Sequence, residues 1–222
     1  AEQLGQKYFK KPIGSFGDIS TFSFFANKHI TTGEGGMLVT DNKSLYKKFL
    51  SYRNICFDLK KPRFVHDEIG WNYRLTSLQA SLGISQLKKL NKFIKIKKNI
   101  GKIYHKNFSD IKCFQLPLKK TIYANNIYWV FGIVMKNKSI IAKKMITLLK
   151  NEGVECRTFF YPLNKQPVLK KLKIKSKFDK FPVSDFLYKY GFYIPSGLGL
   201  KKEEIYFVIR KVLKILKNKN LK

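Results

Sequence analysis

Apolar residues along the chain alternate between strand-like and helix-like spacing. Ile19–Phe25 is aromatic and β-branched, which favours a strand, and Met37–Thr40 is a second strand candidate. The glycines of Gly33–Gly36 predict a turn between these segments, and a further turn is expected around Lys11-Pro12. Lys43–Arg53 has the periodicity of a helix. This order of strand, loop, strand and helix predicts an α/β layer.

A long helix is predicted to begin at Thr76, because Thr76 and Gln79 have the spacing of a capping box. Lysines alternating with isoleucines between residues 91 and 107 indicate that this helix continues or that a second helix follows. We place a domain boundary here, between residues 1–92 and residues 93–222. The buried face of the Thr76 helix is expected to be a leucine stripe, formed by Leu78, Leu82, Leu87 and Leu90.

The second domain is predicted to contain a β-α-β unit. Its strands are Ile127–Met135 and Val154–Phe160, and its helix is Ser139–Asn151, with Ser139 as the cap and Gly153 as the stop. The chain then ends in an amphipathic helix with lysines on its polar face. We expect that helix to pack on its own domain. A membrane surface or a partner protein is the alternative for its apolar side, which consists of Ile205, Val208, Ile209, Val212 and Leu216.

The chain is strongly basic, with 45 lysine and arginine residues against 14 acidic residues and a net charge of +31. Such a charge raises the question of a nucleic-acid or anionic-membrane partner. Only five of the basic residues are arginines, on which nucleic-acid readers depend for bidentate contacts. The lysines are spread along the chain without a recognisable nucleic-acid-binding module. We therefore expect a generally lysine-rich composition and no nucleic-acid partner, with a polyanion partner as the alternative.

The cysteines and histidines form no metal-binding motif in the sequence. The three cysteines are odd in number and far apart, which favours a reducing cytoplasm. The three histidines are also widely separated, so no metal site is predicted. No apolar run is long enough to span a membrane and no signal peptide is recognisable, so no membrane partner is expected. Because the first residue is Ala1, we expect an N-terminal portion to precede it.

Spacing alone does not identify an active site. The Gly33–Gly36 loop could cradle a phosphate, yet it is neither a Walker loop nor the dinucleotide fingerprint. Asp67 and Glu68 are adjacent, so in an extended segment they point in opposite directions and make a poor acid-base pair. A functional assignment therefore requires longer motifs.

Three segments together carry a family resemblance. They are GDISTFSFFANKHITTGEGGM (17–37), HDEIGWNYRLT (66–76) continuing to Gln86-Leu87, and VECRTFFYPL (154–163) with Ile194-Pro195-Ser196. Over essentially its whole length the chain resembles the DegT/DnrJ/EryC1/StrS sugar aminotransferases, especially those that aminate GDP-4-keto-6-deoxymannose. The resemblance implies the α/β type I fold of pyridoxal-phosphate-dependent transferases. Residues 1–92 would be the last part of a large domain on a mostly parallel sheet, and residues 93–222 a small α/β domain.

The resemblance also implies roles for single residues. Lys28 matches the lysine that holds pyridoxal 5′-phosphate as a Schiff base, and Ser23 matches a serine that hydrogen-bonds the cofactor phosphate. A buried lysine can supply a neutral amine as nucleophile and base. Since side chains an odd number of residues apart in a strand face opposite ways, the chain is expected to turn between Ser23 and Lys28.

Other segments would complete the site. Glu2 matches the Gln or Glu that packs against the pyridine ring. Asn72 matches an asparagine that reaches the cofactor phosphate of the neighbouring subunit, so the resemblance implies a homodimer with shared active sites. Arg74, Arg157 and Tyr161 are candidate substrate contacts, with a surface salt bridge as the alternative for each arginine.

Two departures from the family pattern affect this expectation. The aspartate that pairs with the pyridine nitrogen would lie three residues before Glu2, ahead of Ala1, and the phosphate cup and ring-stacking aromatic would lie further upstream. We therefore expect the 222 residues alone to bind the cofactor poorly and to be inactive. The second departure is Asn164, where relatives usually carry His.

The implied activity transfers an amino group from L-glutamate to a nucleotide-linked keto-deoxysugar, such as GDP-4-keto-6-deoxymannose, for polysaccharide or O-antigen biosynthesis. Lys28 would move the proton between the substrate and cofactor carbons while the cofactor acts as electron sink. Two alternatives remain. Dehydratases of the same family carry His in place of the lysine, whereas here the histidine is the neighbouring residue, His29. A non-catalytic basic binding protein would not need Lys28 and Ser23.

Overall fold

The structure, a computed structural model, describes residues 2–57, 60–62, 64–136, 138, 140–174 and 180–220. The chain divides into two compact units. The first comprises Ala1–Lys95 and Lys120–Trp129, and the second comprises Ile96–Lys119 and Val130–Lys222. Residues 120–129 thus group with the first unit, and the assignment of residues 1–92 and 93–222 to two family domains stays a prediction.

The described strands of the first unit form two antiparallel pairs. They are β1 (Lys7–Tyr8) with β2 (Lys11–Pro12), and β3 (Ser20–Ser23) with β4 (Gly36–Val39). The turn predicted around Lys11-Pro12 is displaced, because these two residues form β2 and the hairpin turn directly precedes them at Phe9 and Lys10, which have the positive φ angles (42° and 68°) of a tight hairpin. Only two residues connect β1 to β2, and the loop between β3 and β4 contains no crossover helix, so each pair is antiparallel. The mostly parallel sheet expected for a large domain is therefore not seen among these strands.

The helix predictions for the first unit are confirmed in position. Helix α1 is Lys43–Arg53, capped by Asn42, whose side chain accepts hydrogen bonds from the backbone of Ser44 and Leu45. Helix α2 is Ser77–Leu87, and Thr76 forms the predicted capping box with Gln79. The following segment is a separate helix, α3, at Leu90–Phe108, and its residues from Ile96 onward belong to the second unit.

The leucines of α2 do not form its covered face. Leu78, Leu82 and Leu87 are 83%, 45% and 51% exposed, so the predicted leucine stripe is wrong for these three residues of the described chain. The fourth member, Leu90, is half-buried and begins α3. The covered face is small and polar, and it consists of Gln79, Ala80, Gly83 and Gln86. This face is polar because it packs against the loop between β3 and β4. The backbone groups of that loop require hydrogen-bond partners, which leucine cannot supply.

The amide of Gln86 binds that loop with both of its polar atoms. Its Oε1 accepts from the amide of Thr31 at 3.1 Å, and its Nε2 donates to the carbonyl of Thr31 at 2.8 Å. Gln79 adds a hydrogen bond to the carbonyl of Glu34 at 3.2 Å. A Cβ atom at Gly83 would lie 3.0 Å from the Thr32 side chain, so a larger residue would push the loop away.

The second unit contains an antiparallel four-stranded sheet with the order β5-β6-β8-β7. The strands are β5 (Phe114–Gln115), β6 (Phe131–Met135), β7 (Arg157–Thr158) and β8 (Gly191–Ile194). The strand predicted from Ile127 begins only at Phe131, since Tyr128 has a positive φ of 54°. The strand predicted over Val154–Phe160 is shorter than expected, because only Arg157–Thr158 pair with β8. The β-α-β unit is present, but β8 lies between its two strands.

The helices of the second unit cover this sheet. Helix α4 is Ala142–Asn151 and begins after Ile141. The predicted stop, Gly153 (φ 80°), lies two residues beyond its end. The predicted cap, Ser139, lies outside the described residues. The sequence did not indicate the short helices α5 (Pro167–Lys171) and α6 (Pro182–Tyr190) or the 3-10 turn Leu163–Lys165. Helix α7 (Lys202–Asn218) buries the whole predicted apolar face, so its packing within this unit is confirmed.

Glu152, at the end of α4, links this helix to α7. Its carboxylate accepts hydrogen bonds from Lys211 and Lys214, each at 2.7 Å. These two hydrogen bonds lower the pKa of Glu152 from 4.5 to about 2. The link therefore persists at neutral pH and is lost as the pH falls toward that pKa. No helix in the described ranges is long and apolar enough to cross a membrane.

Lys97 is a buried cation in α3, with 6% of its surface exposed. Its Nζ donates to the carbonyl of Ser196, next to Pro195, whose carbonyl accepts from Tyr104 Oη at 2.7 Å. Burial lowers the pKa of Lys97 from 10.5 to about 8. The folded chain therefore binds fewer protons than the unfolded chain between these pH values, and its stability rises with pH across this window.

We predict that replacing Gln86 with Leu loosens the loop between β3 and β4. Two hydrogen bonds would be lost and the loop backbone left unsatisfied, which costs on the order of 1–3 kcal/mol. Hydrogen exchange at residues 29–36 should accelerate, and urea unfolding should move to lower urea. Ser85→Ala, on an exposed position of the same helix, is the matched control. Unchanged exchange in Gln86→Leu would show that the loop is held by other contacts.

We predict that Lys97→Met removes a pH-dependent part of the stability. Wild-type stability should rise relative to the variant between pH 7 and pH 10, by up to about 3 kcal/mol at roughly 1.4 kcal/mol per pKa unit. Urea unfolding at several pH values measures this difference. Lys102→Met, at an exposed position of the same helix, should parallel wild type. If the stability of Lys97→Met changed with pH in parallel with that of wild type, burial would not lower the pKa of Lys97 as described.

Candidate active site

The loop that carries Lys28 is closed on itself at Phe24. The Phe24 carbonyl accepts hydrogen bonds from the Thr32 amide and from Thr31 Oγ1, both at 2.9 Å. Its amide donates to the carbonyl of Gly35 at 2.8 Å, and its side chain is buried. The chain thus leaves Phe24 and returns to it, and Lys28 lies midway around the loop. The turn predicted between Ser23 and Lys28 is confirmed.

The glycines behind this loop form the predicted turn. Gly33 and Gly35 have φ angles of 79° and 139°, which side-chain-bearing residues rarely adopt. A Cβ atom at Gly35 would lie 2.7 Å from Thr32 Oγ1, and that hydroxyl donates to the carbonyl of Glu34 at 2.6 Å. The two glycines therefore let the chain enter β4 directly after the loop.

The amine of Lys28 lies between a carboxylate and an aromatic ring. Its Nζ donates to Glu2 Oε1 at 2.6 Å, and the centroid of the Trp129 ring is 4.5 Å from the same Nζ. The Lys28 side chain is only 11% exposed. The hydrogen bond from Lys28 lowers the pKa of Glu2 below 4.5, which outweighs the opposing effect of burial. Both neighbours attract a positively charged amine.

The other residues predicted for the first unit lie at separate points. Ser23 is the last residue of β3, and its Oγ accepts a hydrogen bond from the Phe25 amide at 3.3 Å. Asn72 is exposed, and its Oδ1 accepts from Arg74 Nε at 3.1 Å. Arg74 also donates to the side chain of Asn54. Arg74 therefore orients two asparagine amides and forms no ion pair within the described residues.

The two substrate candidates of the second unit line one groove of about 560 Å³. Arg157 lies on β7, and the ring of Tyr161 packs edge-on against Tyr188 with centroids 5.1 Å apart. Lys143 of α4 adds a second cation, and no carboxylate lines the groove among the described residues. Burial raises the pKa of Cys156 in the wall to about 12, so its thiol is neutral. The groove combines positive charge with aromatic surface.

Sequence reasoning missed two features of these sites. Trp129 was assigned to a strand, and it is far from Lys28 in the sequence, so no spacing rule connects them. Lys143, Tyr188 and Tyr193 enter the groove from separate elements, which only the fold brings together. Among the described residues, no group of histidine, cysteine and acidic side chains could hold a metal ion.

Sugar aminotransferases are among the proteins most similar to this chain. It is 34% identical over 212 residues to the GDP-perosamine synthase of Escherichia coli O157:H7, covering 96% of this chain and 56% of that protein. Helicobacter pylori PseC, an aminotransferase involved in the biosynthesis of pseudoaminic acid, has a TM-score of 0.87 at 28% identity, covering 98% of this chain and 58% of that one. The chain thus spans little more than half the length of these relatives.

A third relative was solved with a cofactor. The E. coli GDP-4-keto-6-deoxy-D-mannose-3-dehydratase with bound hydrated PLP has a TM-score of 0.82 at 24% identity, covering 96% of this chain and 58% of that one. That likeness concerns the fold, and it agrees with the mixed α/β fold class predicted from the sequence, which is confirmed. The predicted cofactor, pyridoxal phosphate, is confirmed at the level of the family.

Family membership follows from a match over nearly the whole chain. The family model matches residues 1–213, which include the Lys28 loop, α2 and the groove of the second unit. The chain belongs to the DegT/DnrJ/EryC1/StrS aminotransferase family.

Proposed function

We propose that this chain is part of a pyridoxal-phosphate-dependent nucleotide-sugar aminotransferase in which Lys28 carries the cofactor. The observation that supports this most strongly is the placement of Lys28 within the family segment. Its amine is held 2.6 Å from Glu2 on a loop that is closed by backbone hydrogen bonds. A reactive amine needs such a fixed position to meet a substrate repeatedly in the same geometry.

The residues present fit this cofactor chemically. Lys28 supplies the primary amine that an aldehyde requires, and its side chain is 11% exposed. Ser23 Oγ accepts from the Phe25 amide, which leaves its hydroxyl hydrogen to donate to a phosphate. When bound, pyridoxal phosphate would supply the electron sink for cleavage of the substrate C–H bond. Lys28 Nζ would take up that proton and return it, and Glu2 would contact the ring or the amine.

We infer that the acceptor is a nucleotide-linked keto-deoxysugar, such as GDP-4-keto-6-deoxymannose, and that the donor is L-glutamate. The groove of the second unit supports an anionic, aromatic ligand, since Arg157 and Lys143 can bind phosphate oxygens and Tyr161 can contact a base or sugar. The name of the E. coli relative, GDP-perosamine synthase, supports the same substrate class. Arg74 is the corresponding candidate in the first unit. The product would serve polysaccharide or O-antigen biosynthesis.

We also propose a homodimer with shared active sites. Asn72 is exposed, and its amide nitrogen donates to no atom of the described residues, so it is available to a second subunit. The exposed leucines of α2, with Leu78 at 83%, offer apolar surface for such an interface.

The completeness of the site is part of the proposal. The family aspartate for the pyridine nitrogen and the family phosphate cup match no segment of residues 1–222. We therefore expect these 222 residues alone to bind the cofactor poorly and to be inactive. The activity is proposed for the full product of the gene.

The alternatives are less well supported by the residues. A dehydratase of this family would require His at position 28, whereas Lys28 is present and His29 is buried with 3% exposure. A non-catalytic basic protein would not require the Lys28–Glu2 contact.

We predict that borohydride reduction of the full gene product, loaded with one equivalent of pyridoxal phosphate, labels Lys28. Reduction makes the lysine–cofactor bond permanent, and peptide mass spectrometry locates it. Lys28→Ala should lose the label, and Lys47→Ala, at an exposed position of α1, should retain it. A stoichiometric label on another lysine in wild type would exclude Lys28 as the cofactor lysine.

We predict that Asn72→Ala and Lys28→Ala are each nearly inactive but complement each other when mixed. A mixed dimer with shared sites has one site with both residues and one site with neither, as two-fold symmetry requires. Random exchange makes about half of the dimers mixed, so roughly a quarter of wild-type activity should return. The assay is glutamate-dependent amination of the keto sugar, with subunit exchange verified by differently tagged chains. Confirmed exchange without recovered activity would place Asn72 in its own subunit's site or in a plain turn.

A further inference from the structure

Trp129 is attached to the residue that precedes Lys28. Its indole Nε1 donates to the carbonyl of Asn27 at 2.8 Å. This hydrogen bond fixes the ring relative to the Lys28 loop, and the ring centroid lies 4.5 Å from Lys28 Nζ. The ring face is electron-rich, so it attracts an ammonium group at this distance.

Glu2 approaches the same Nζ with a carboxylate oxygen at 2.6 Å. The carboxylate contributes a directed hydrogen bond, and the indole contributes a broad attractive face. The amine therefore has a defined resting position in the absence of any covalent bond.

From this geometry we propose that Trp129 is a positioning residue for Lys28, and that with Glu2 it forms an ammonium clamp. The clamp, defined as Glu2 and the ring of Trp129, receives the Lys28 amine whenever that amine is not covalently bound. This role rests on the proposed function, since a transaminase must release its lysine from the cofactor in each half-reaction and bind the cofactor again afterwards. The clamp itself is a property of this chain's own residues.

The clamp would act on Lys28 in two ways. It would keep Nζ within one small volume, so that the amine does not sample the many positions open to a free lysine side chain. It would also shield the amine from reagents in solution, consistent with its 11% exposure. Removal of the ring should therefore make Lys28 more accessible and more reactive toward electrophiles.

The test is lysine labelling of the full gene product without cofactor. Dilute acetic anhydride is added at pH 8, and the acetylation of each lysine is quantified by peptide mass spectrometry. Exposed Lys47 is the internal reference. Relative to Lys47, Lys28 should react more slowly in wild type, and Trp129→Leu and Glu2→Gln should each accelerate it by about twofold to tenfold, as expected for contacts of this strength. Trp71→Leu, at the other tryptophan, should leave Lys28 unchanged.

Trp129→Phe separates a clamp from a merely structural role. Phenylalanine keeps an aromatic face but loses the hydrogen bond to Asn27, so its labelling rate should lie between those of wild type and Trp129→Leu. Equal rates for Phe and Leu would overturn the role of the aromatic face. Unchanged labelling of Lys28 in Trp129→Leu would overturn the proposal outright.

A second measurement leaves Trp129 in place. In a Trp71→Phe background, Trp129 is the remaining tryptophan, and its fluorescence reports on charge near its ring. Lys28→Met should shift its emission, and Lys47→Met should not. Identical emission in both variants would contradict the clamp. Neither measurement uses the cofactor, so failure of the clamp and failure to label Lys28 with pyridoxal phosphate are distinguishable outcomes.

Discussion

Closure of the Lys28 loop at Phe24 is the constraint on which the rest of the candidate site depends. The carbonyl of this residue accepts hydrogen bonds from Thr31 and Thr32, and its amide donates to Gly35. Ordering a free loop costs on the order of 1–2 kcal/mol of backbone entropy per residue, so an amine at its centre would otherwise have no fixed position. Because backbone groups and a threonine hydroxyl make the closure, the charge of Lys28 is not needed to hold the loop. That charge is left to interact with Glu2 and Trp129.

The two sides of helix α2 have different surroundings. Its small and polar face satisfies the backbone of the loop through Gln79 and Gln86, with Gly83 allowing close approach. Its apolar sides stay exposed in the described chain, where Leu78 and Leu82 are available for the proposed subunit contact. One short helix can therefore fix the position of Lys28, the proposed cofactor lysine, and offer a surface to the proposed second subunit. The second unit contributes differently, since its groove gathers cations and aromatic rings around an edge strand.

The sequence predicted correctly those features of the fold that depend on residues close together in the chain. The capping box at Thr76, the glycine stop at Gly153 and the apolar face of α7 were all predicted correctly, because each depends on residues a few positions apart. Strand limits were predicted poorly, because β6 begins where pairing with β8 begins and not where the apolar run begins. The prediction that the leucines of α2 are buried was wrong. Periodicity shows that one face of a helix is apolar, but it does not show which part of the protein covers that face. Lys28 is proposed as the cofactor lysine from motif resemblance alone, and Trp129 was missed because its proximity to Lys28 exists only in the folded chain.

The central claim is that Lys28, held on the closed loop, is the residue that binds pyridoxal phosphate. A crystal structure of the full gene product grown with the cofactor tests it most directly. The claim predicts electron density continuous from Lys28 Nζ to the cofactor, with Ser23 Oγ within hydrogen-bonding distance of the phosphate. Density that joins the cofactor to another lysine, or a cofactor bound away from the Lys28 loop, would contradict it.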